Sequence, residues 1–181
     1  MAKDSFLPDD YNKAEVPKEE KYLKFSEEGE YRFRFLSSPI IGVEAWKGGK
    51  PLRWRTFQEV PTDEVWDEYK GKPKPPKTFW AAVVWNYKYD KDENGKDIGK
   101  IQILNLTQVS ILNPLKDLIK DSEWGSPKEY DLKVKREDKD ITEYTVTPCI
   151  PKPLDPMIVG EYGMANIRLE ALFDGKDPFA K

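Results

Sequence analysis

The stretch "FWAAVVWNYKYD", residues 79–90, constrains the fold more than any other part of the chain. Side chains alternate along a strand, so Phe79, Ala81, Val83, Trp85, Tyr87 and Tyr89 face one way. Trp80, Ala82, Val84, Asn86 and Lys88 face the other. Both faces are apolar or aromatic, and both need a cover. The interior of a barrel covers one of them. The second needs a bound ligand, the excursion at 47–78 or another subunit.

The neighbouring segments supply the rest of such a barrel. "EYRFRFL" (30–36) sets Tyr31, Phe33 and Phe35 against Arg32 and Arg34, the period of a strand with one buried face. "IIGVEAW" (40–46) reads as the far half of the same bent strand. "KGGK" (47–50) is a tight-turn signal, with "LRWRTF" (52–57) as hairpin partner. "PTDEVWDEY" (61–69) predicts a short helix begun by Thr62 with acids in its first turn. "KGKPKPPK" (70–77) reads as irregular, because proline removes donors and holds the chain extended. After 79–90, Asn94-Gly95 predicts a hairpin, and "KIQILNLT" (100–107) is the returning strand. Residues 108–120 shift to helical spacing (Ile111, Leu115, Leu118, Ile119), with Pro114 in the first turn or breaking the helix. Two strands follow at 129–137 and 141–148, and "ANIRLEALF" (165–173) reads as a short helix. This order predicts a mainly β chain, a five-stranded Greek-key OB-fold barrel with a helix between strands 3 and 4 and an elaborated strand 1–2 loop. The expected layout is a flexible N-terminal arm (1–20), the barrel domain (21–156) and a C-terminal extension (157–181).

Composition narrows the function. With one cysteine, Cys149, and no histidine, disulfides within the chain, Cys/His zinc sites and His-dependent triads are all excluded. No P-loop, GxGxxG or nucleophile elbow occurs, and the carboxylates fall mostly in polar runs such as "DKDENGKD" that read as solvated tips. The expectation is a binding protein, not an enzyme, with no cofactor and no bound metal. No apolar run reaches a membrane span, and "MAKDSFLPDD" has no signal-peptide core, so the expected setting is the cytoplasm. Net charge is only −3, yet residues 31–80 carry ten basic and six acidic side chains, while residues 1–30 carry five and nine. A basic middle between acidic ends suits local binding of a polyanion.

The candidate binding residues mix cations with flat rings. They are Arg32, Arg34, Trp46, Lys47, Lys50, Arg53, Trp54, Arg55, Lys72, Lys74, Lys77, Trp80, Trp85 and Tyr87. Single-stranded nucleic acid needs Lys and Arg along its phosphates and aromatic faces for its unstacked bases. Each residue also has an ordinary structural reading: Trp85 as core, Arg32 and Arg34 as a solvated strand face, "KGKPKPPK" as a connector. The choice between Trp80 and Trp85 depends on strand phase and stays open.

Four stretches resemble phage-encoded single-stranded DNA-binding proteins of the OB type: "KYLKFSEEGEYRFRFLSSPIIGVEAW" (21–46), "FWAAVVWNY" (79–87), "KIQILNLTQ" (100–108) and 123–154, from "EWGSPKEYDLKVKRE" through "YTVTPCIPKPL". The resemblance implies a protein of replication, recombination and repair in a bacterial host cell that coats and protects single strands with little sequence preference. Phage replication or recombination proteins would be its partners, and it would form homo-oligomers on DNA. The T-even-phage helix-destabilising proteins carry a Cys/His zinc site, so the resemblance here implies a zinc-free branch. The ending "DGKDPFAK" is a short form of the acidic, phenylalanine-ended tail of such proteins. Other functions compatible with the same residues are RNA binding by an OB protein, a carbohydrate-binding or virion β-sandwich module, and a nuclease on the same scaffold.

Overall fold

The computed structural model describes residues 20–180. The expected arm at 1–20 therefore lies outside the described residues except for Glu20. The chain is mainly β. Its strands are β1 (Tyr22–Leu23), β2 (Gly29–Phe35), β3 (Ile40–Lys47), β4 (Lys50–Trp54), β5 (Glu68–Tyr69), β6 (Lys72–Pro73), β7 (Lys77–Lys91), β8 (Asp97–Leu106), β9 (Leu132–Asp138) and β10 (Thr142–Pro148). Helix α1 (Val109–Lys120) stands between β8 and β9, and α2 (Pro156–Ala165) follows β10.

Eight strands form one mixed sheet in the path β1-β8-β7-β2-β9-β10, with the β3–β4 hairpin attached to β7. β1 runs parallel to β8; the other pairs are antiparallel. The five expected strands become eight because the bent first strand divides in two, β4 adds a hairpin arm to β3, and β1 adds an edge. Among the described residues the path does not return on itself. β2 pairs with β7 at Phe33–Phe35 and with β9 at Gly29–Phe33, and β3 continues along β7 at Ile40–Glu44. The bend falls at Leu36–Pro39, where the backbone N–H of Leu36 still donates to Val83 O at 2.9 Å.

The core lies on the even-numbered face of β7. Ala82 and Val84 pack with Phe33 and Phe35 of β2, Leu104 and Leu106 of β8, Leu132 and Val134 of β9, and Ile111, Leu112 and Leu115 of α1. Helix α1 forms where its spacing predicts it. Pro114 neither starts nor breaks it, because the bond it removes would go to Ser110, on the exposed side.

Three local expectations are corrected. The helix expected at 61–69 does not form, because Asp67 is fully engaged elsewhere. Its carboxylate accepts the backbone N–H groups of Gly48 and Gly49 at 2.8 Å each. Its own N–H donates to Trp46 O, and its carbonyl accepts from Lys74 N. Gly48 and Gly49 both have positive φ (62° and 73°), the primed turn that matches strand twist. Within 70–77, β6 pairs with β5 around Lys70-Gly71, so this stretch is a two-residue ladder leading into β7. The helix expected at 165–173 is also displaced. Asp155 caps α2 by accepting Met157 N–H at 2.8 Å, Pro156 occupies its first turn, and Asn166 ends it in the left-handed region at φ 50°. A short 3₁₀ helix, Leu169–Asp174, follows.

Candidate nucleic-acid interface

The odd-numbered face of β7, here the outer face, has three zones. In the middle, Phe79, Ala81, Val83 and Trp85 lie beneath the chain's own residues 154–180. Ile158, Leu154, Tyr162 and Ile167 pack over Val83 and Trp85. Leu172, Leu169, Phe173 and Phe179 pack over Phe79, Ala81 and Ile103. This segment, and not the 47–78 excursion, covers the second face. Trp85 is 5% exposed and packs directly against Gly99, where any Cβ would collide with the indole. Trp80 points to the opposite face, half-buried against the core and beside Leu115, Ile119 and Ser38.

At one end of this face, Tyr87 emerges from the cover. Beside it Asp131, fully buried, collects four partners. Arg34 Nε donates to it at 2.7 Å, Arg32 Nη2 at 2.6 Å and the Tyr87 hydroxyl at 2.8 Å, and Lys152 Nζ stands 3.5 Å away. Burial works against the charged carboxylate, but the bonds from Arg34, Arg32 and Tyr87 outweigh it and hold Asp131 below its ordinary pKa. Burial, with the bond to Asp131, pushes the Tyr87 phenol up to about 12, so it remains a donor at neutral pH. Arg32 and Lys152 lie over the Tyr87 ring at 5.4 and 6.0 Å from its centroid. A groove of about 480 Å³ opens here, lined in part by Arg32, Tyr87, Lys88, Lys96 and Lys152. Four cations against Asp97 and Asp155 leave it net positive.

The other end of the face, roughly 30 Å along β7 at about 3.3 Å per residue, is built by β3, β4 and β8. Trp46 is 37% exposed and lines a groove of about 210 Å³ with Glu44, Ala45, Lys74, Pro75, Lys77 and Thr107. Glu44, nearly buried, accepts from Trp46 Nε1 at 3.3 Å, Arg53 Nε at 2.9 Å and Asn105 Nδ2 at 2.9 Å. The side-chain oxygen of Asn105 is buried without a donor.

The remaining candidates have structural partners. Arg34, 1% exposed, also donates to the carbonyls of Lys128 and Lys152, so it tethers the 128–152 region and presents nothing to a phosphate. Trp54 is half-buried, edge-on to Trp66 at 5.7 Å. Arg53 lies over Phe79, and Arg55 lies over Phe173 at 4.4 Å and pairs with Glu170, tying β4 to the C-terminal cover. Lys47 pairs with Glu64 and stands opposite Lys50 at the hairpin tip. Lys72 is exposed on the β5–β6 ladder. The structure therefore gathers Arg32, Arg34 and Tyr87 at one end and Trp46, Arg53, Lys74 and Lys77 at the other.

Sequence reading missed Asp131, Lys88, Lys96, Lys152 and Asn105. For Asp131 a signal exists: it is the one carboxylate set directly against the apolar start of β9, in "EYDLKV". Among the described residues no helix is long and apolar enough to cross a membrane. No family model, no curated protein and no solved structure matches this chain.

Proposed function

We propose that this protein binds single-stranded DNA with little sequence preference, in the manner of a zinc-free phage single-strand-coating protein. The observation that carries the reading is the outer face of β7. A covered apolar middle separates two open ends, and each end sets an aromatic ring among lysines and arginines. Phosphates are met by Arg32, Lys88, Lys96 and Lys152 at one end and by Lys74 and Lys77 at the other. Trp46 offers a ring for base stacking, and stacking tolerates every base.

Connectivity supports an OB-type barrel beneath this face. The bent β2–β3 unit serves as strand 1, with β7 and β8 as strands 2 and 3, α1 in the helix slot, and β9 and β10 as strands 4 and 5. Strand 1 meets both strand 2 and strand 4, as that topology requires. Closure would bring β8 and β10 side by side.

The test is a fluorescence titration with oligo-dT. Affinity should fall steeply between about 50 and 200 mM salt, with a slope near −0.7 for each phosphate neutralised. Indole emission should be quenched through Trp46. Binding that ignores salt, or that favours duplex, rejects the proposal, and a matched oligo-U strand separates DNA from RNA preference.

A further inference from the structure

The groove at Tyr87 is lined from both the sheet and the C-terminal cover. β2, β7 and the β7–β8 hairpin give it Arg32, Tyr87, Lys88 and Lys96, and the cover gives it Asp155, Met157 and Ile158. Its acids are already engaged. Asp155 accepts the Met157 N–H at 2.8 Å as the cap of α2, and Asp97 pairs with Lys91 at 3.0 Å. The side chains of Lys88 and Lys96, in contrast, have no ion-pair partner among the described residues. The half-exposed ammonium of Lys152 shares Asp131 with two arginines. The groove thus keeps its positive charge for a ligand that is itself an anion.

The apolar surface open to such a ligand is narrow. Trp85 and Ile158 are buried in one cluster, so neither presents a face to the groove. The Tyr87 ring has Arg32 and Lys152 over it, and its hydroxyl is spent on Asp131. Met157 remains. It is 58% exposed, although the next residue of its helix, Ile158, is core. A thioether is flexible and polarizable and makes a favourable contact with a flat ring. At about 480 Å³ the space accommodates one nucleotide.

We propose that Met157 contacts DNA: one nucleotide seats in this groove with its base on the Met157 thioether and its phosphates on Lys88, Lys96 and Lys152. The inference rests on the single-strand reading above and goes beyond it, because α2, part of the cover over the apolar middle, becomes a wall of the binding site as well. A contact of this kind reads no base edge, in keeping with little sequence preference.

The helix carries its own control. Met164 is 80% exposed on α2 but does not line the groove. The wild-type chain is treated with dilute hydrogen peroxide, alone and with saturating oligo-dT at low salt, and methionine sulfoxide is quantified at each position by peptide mass spectrometry. The strand should slow oxidation of Met157 severalfold and leave the rate at Met164 unchanged. In titrations, Met157→Ala should weaken oligo-dT binding roughly two- to tenfold, the range a thioether–ring contact supplies. Met164→Ala should bind as wild type does, and neither exposed substitution should shift the denaturation midpoint. Unchanged oxidation of Met157 in the strand-bound chain, or equal slowing at both methionines, overturns the assignment and leaves single-strand binding standing. Equal affinity of Met157→Ala and wild type does the same. Failure to bind any strand removes both readings.

Discussion

Trp85 and Trp46 lie on the same face of the same sheet and have opposite fates. Trp85 is pressed onto Gly99 and covered by Ile158 and its neighbours. Trp46, at the β3 end, has only a groove beside it, and its indole nitrogen is spent on Glu44. Strand phase puts both on the outer face, but it is the reach of residues 154–180 that decides which becomes core. A face of a sheet is thus not a functional unit; the part left uncovered is.

The largest expected effects come from the buried groups. Trp85→Ala should cost about 3–5 kcal/mol of folding free energy, as removal of a buried aromatic does. Trp46→Ala removes a donor from the nearly buried Glu44 and should cost about 1–3 kcal/mol of stability, less than Trp85→Ala, while losing about 1–3 kcal/mol of single-strand affinity. Denaturant and oligonucleotide titrations on both variants measure the four quantities. If Trp46→Ala unfolds easily and binds normally per folded molecule, the distinction between covered and open tryptophans collapses.

Asp131 extends the comparison to the Tyr87 end. Asp131→Asn leaves Arg34, 1% exposed, facing a neutral amide, and breaking a buried pair in this way costs about 3–5 kcal/mol. The acid response has a definite sign. Because the native carboxyl is held below its unfolded value, its contribution is present above about pH 3.9. It is lost as pH falls through that value towards the lower native one. Wild type should therefore show a steeper loss of stability below about pH 4 than the Asn variant, read from denaturation midpoints across pH. Parallel curves would mean that Asp131 is not the group that ties β2 to the start of β9.

Periodicity makes the sheet's centre legible. The alternation at 30–36, the two-sided run at 79–90 and the helical spacing of 108–120 each correspond to an element in the structure. The cover is hidden for a physical reason. "PMIVGEYGMA" has one charge and no polar stripe, so α2 shows no face to read, and its Ile158 is buried while Met157 and Val159 are exposed. The helix expected at 61–69 fails because Thr62 and the following acids imitate a helix start, whereas Asp67 bonds to a turn 18 and 19 residues away. Within the candidate site, the shared face of Arg32 and Arg34 is legible, but their common partner sits 99 and 97 residues away. No local pattern carries that distance.

The smallest expected effect concerns the lysines of 72–77, which the sequence groups together and the structure separates. Lys74 and Lys77 line the groove at Trp46, while Lys72 stands exposed on the β5–β6 ladder, away from that groove's lining. All three are single positive charges on the surface, so alanine at any of them should change stability by less than about 0.5 kcal/mol. Salt dependence separates them. If Lys74 and Lys77 each meet a phosphate, the double variant should flatten the slope of log affinity against log salt by about 1.4, since each phosphate set free removes about 0.7. Lys72→Ala should leave the slope unchanged even though it removes the same charge as either neighbour. A general electrostatic attraction, with no defined track at the Trp46 end, predicts instead that the three lysines contribute alike. Equal flattening per lysine would therefore erase the boundary between the open groove and the surface around it.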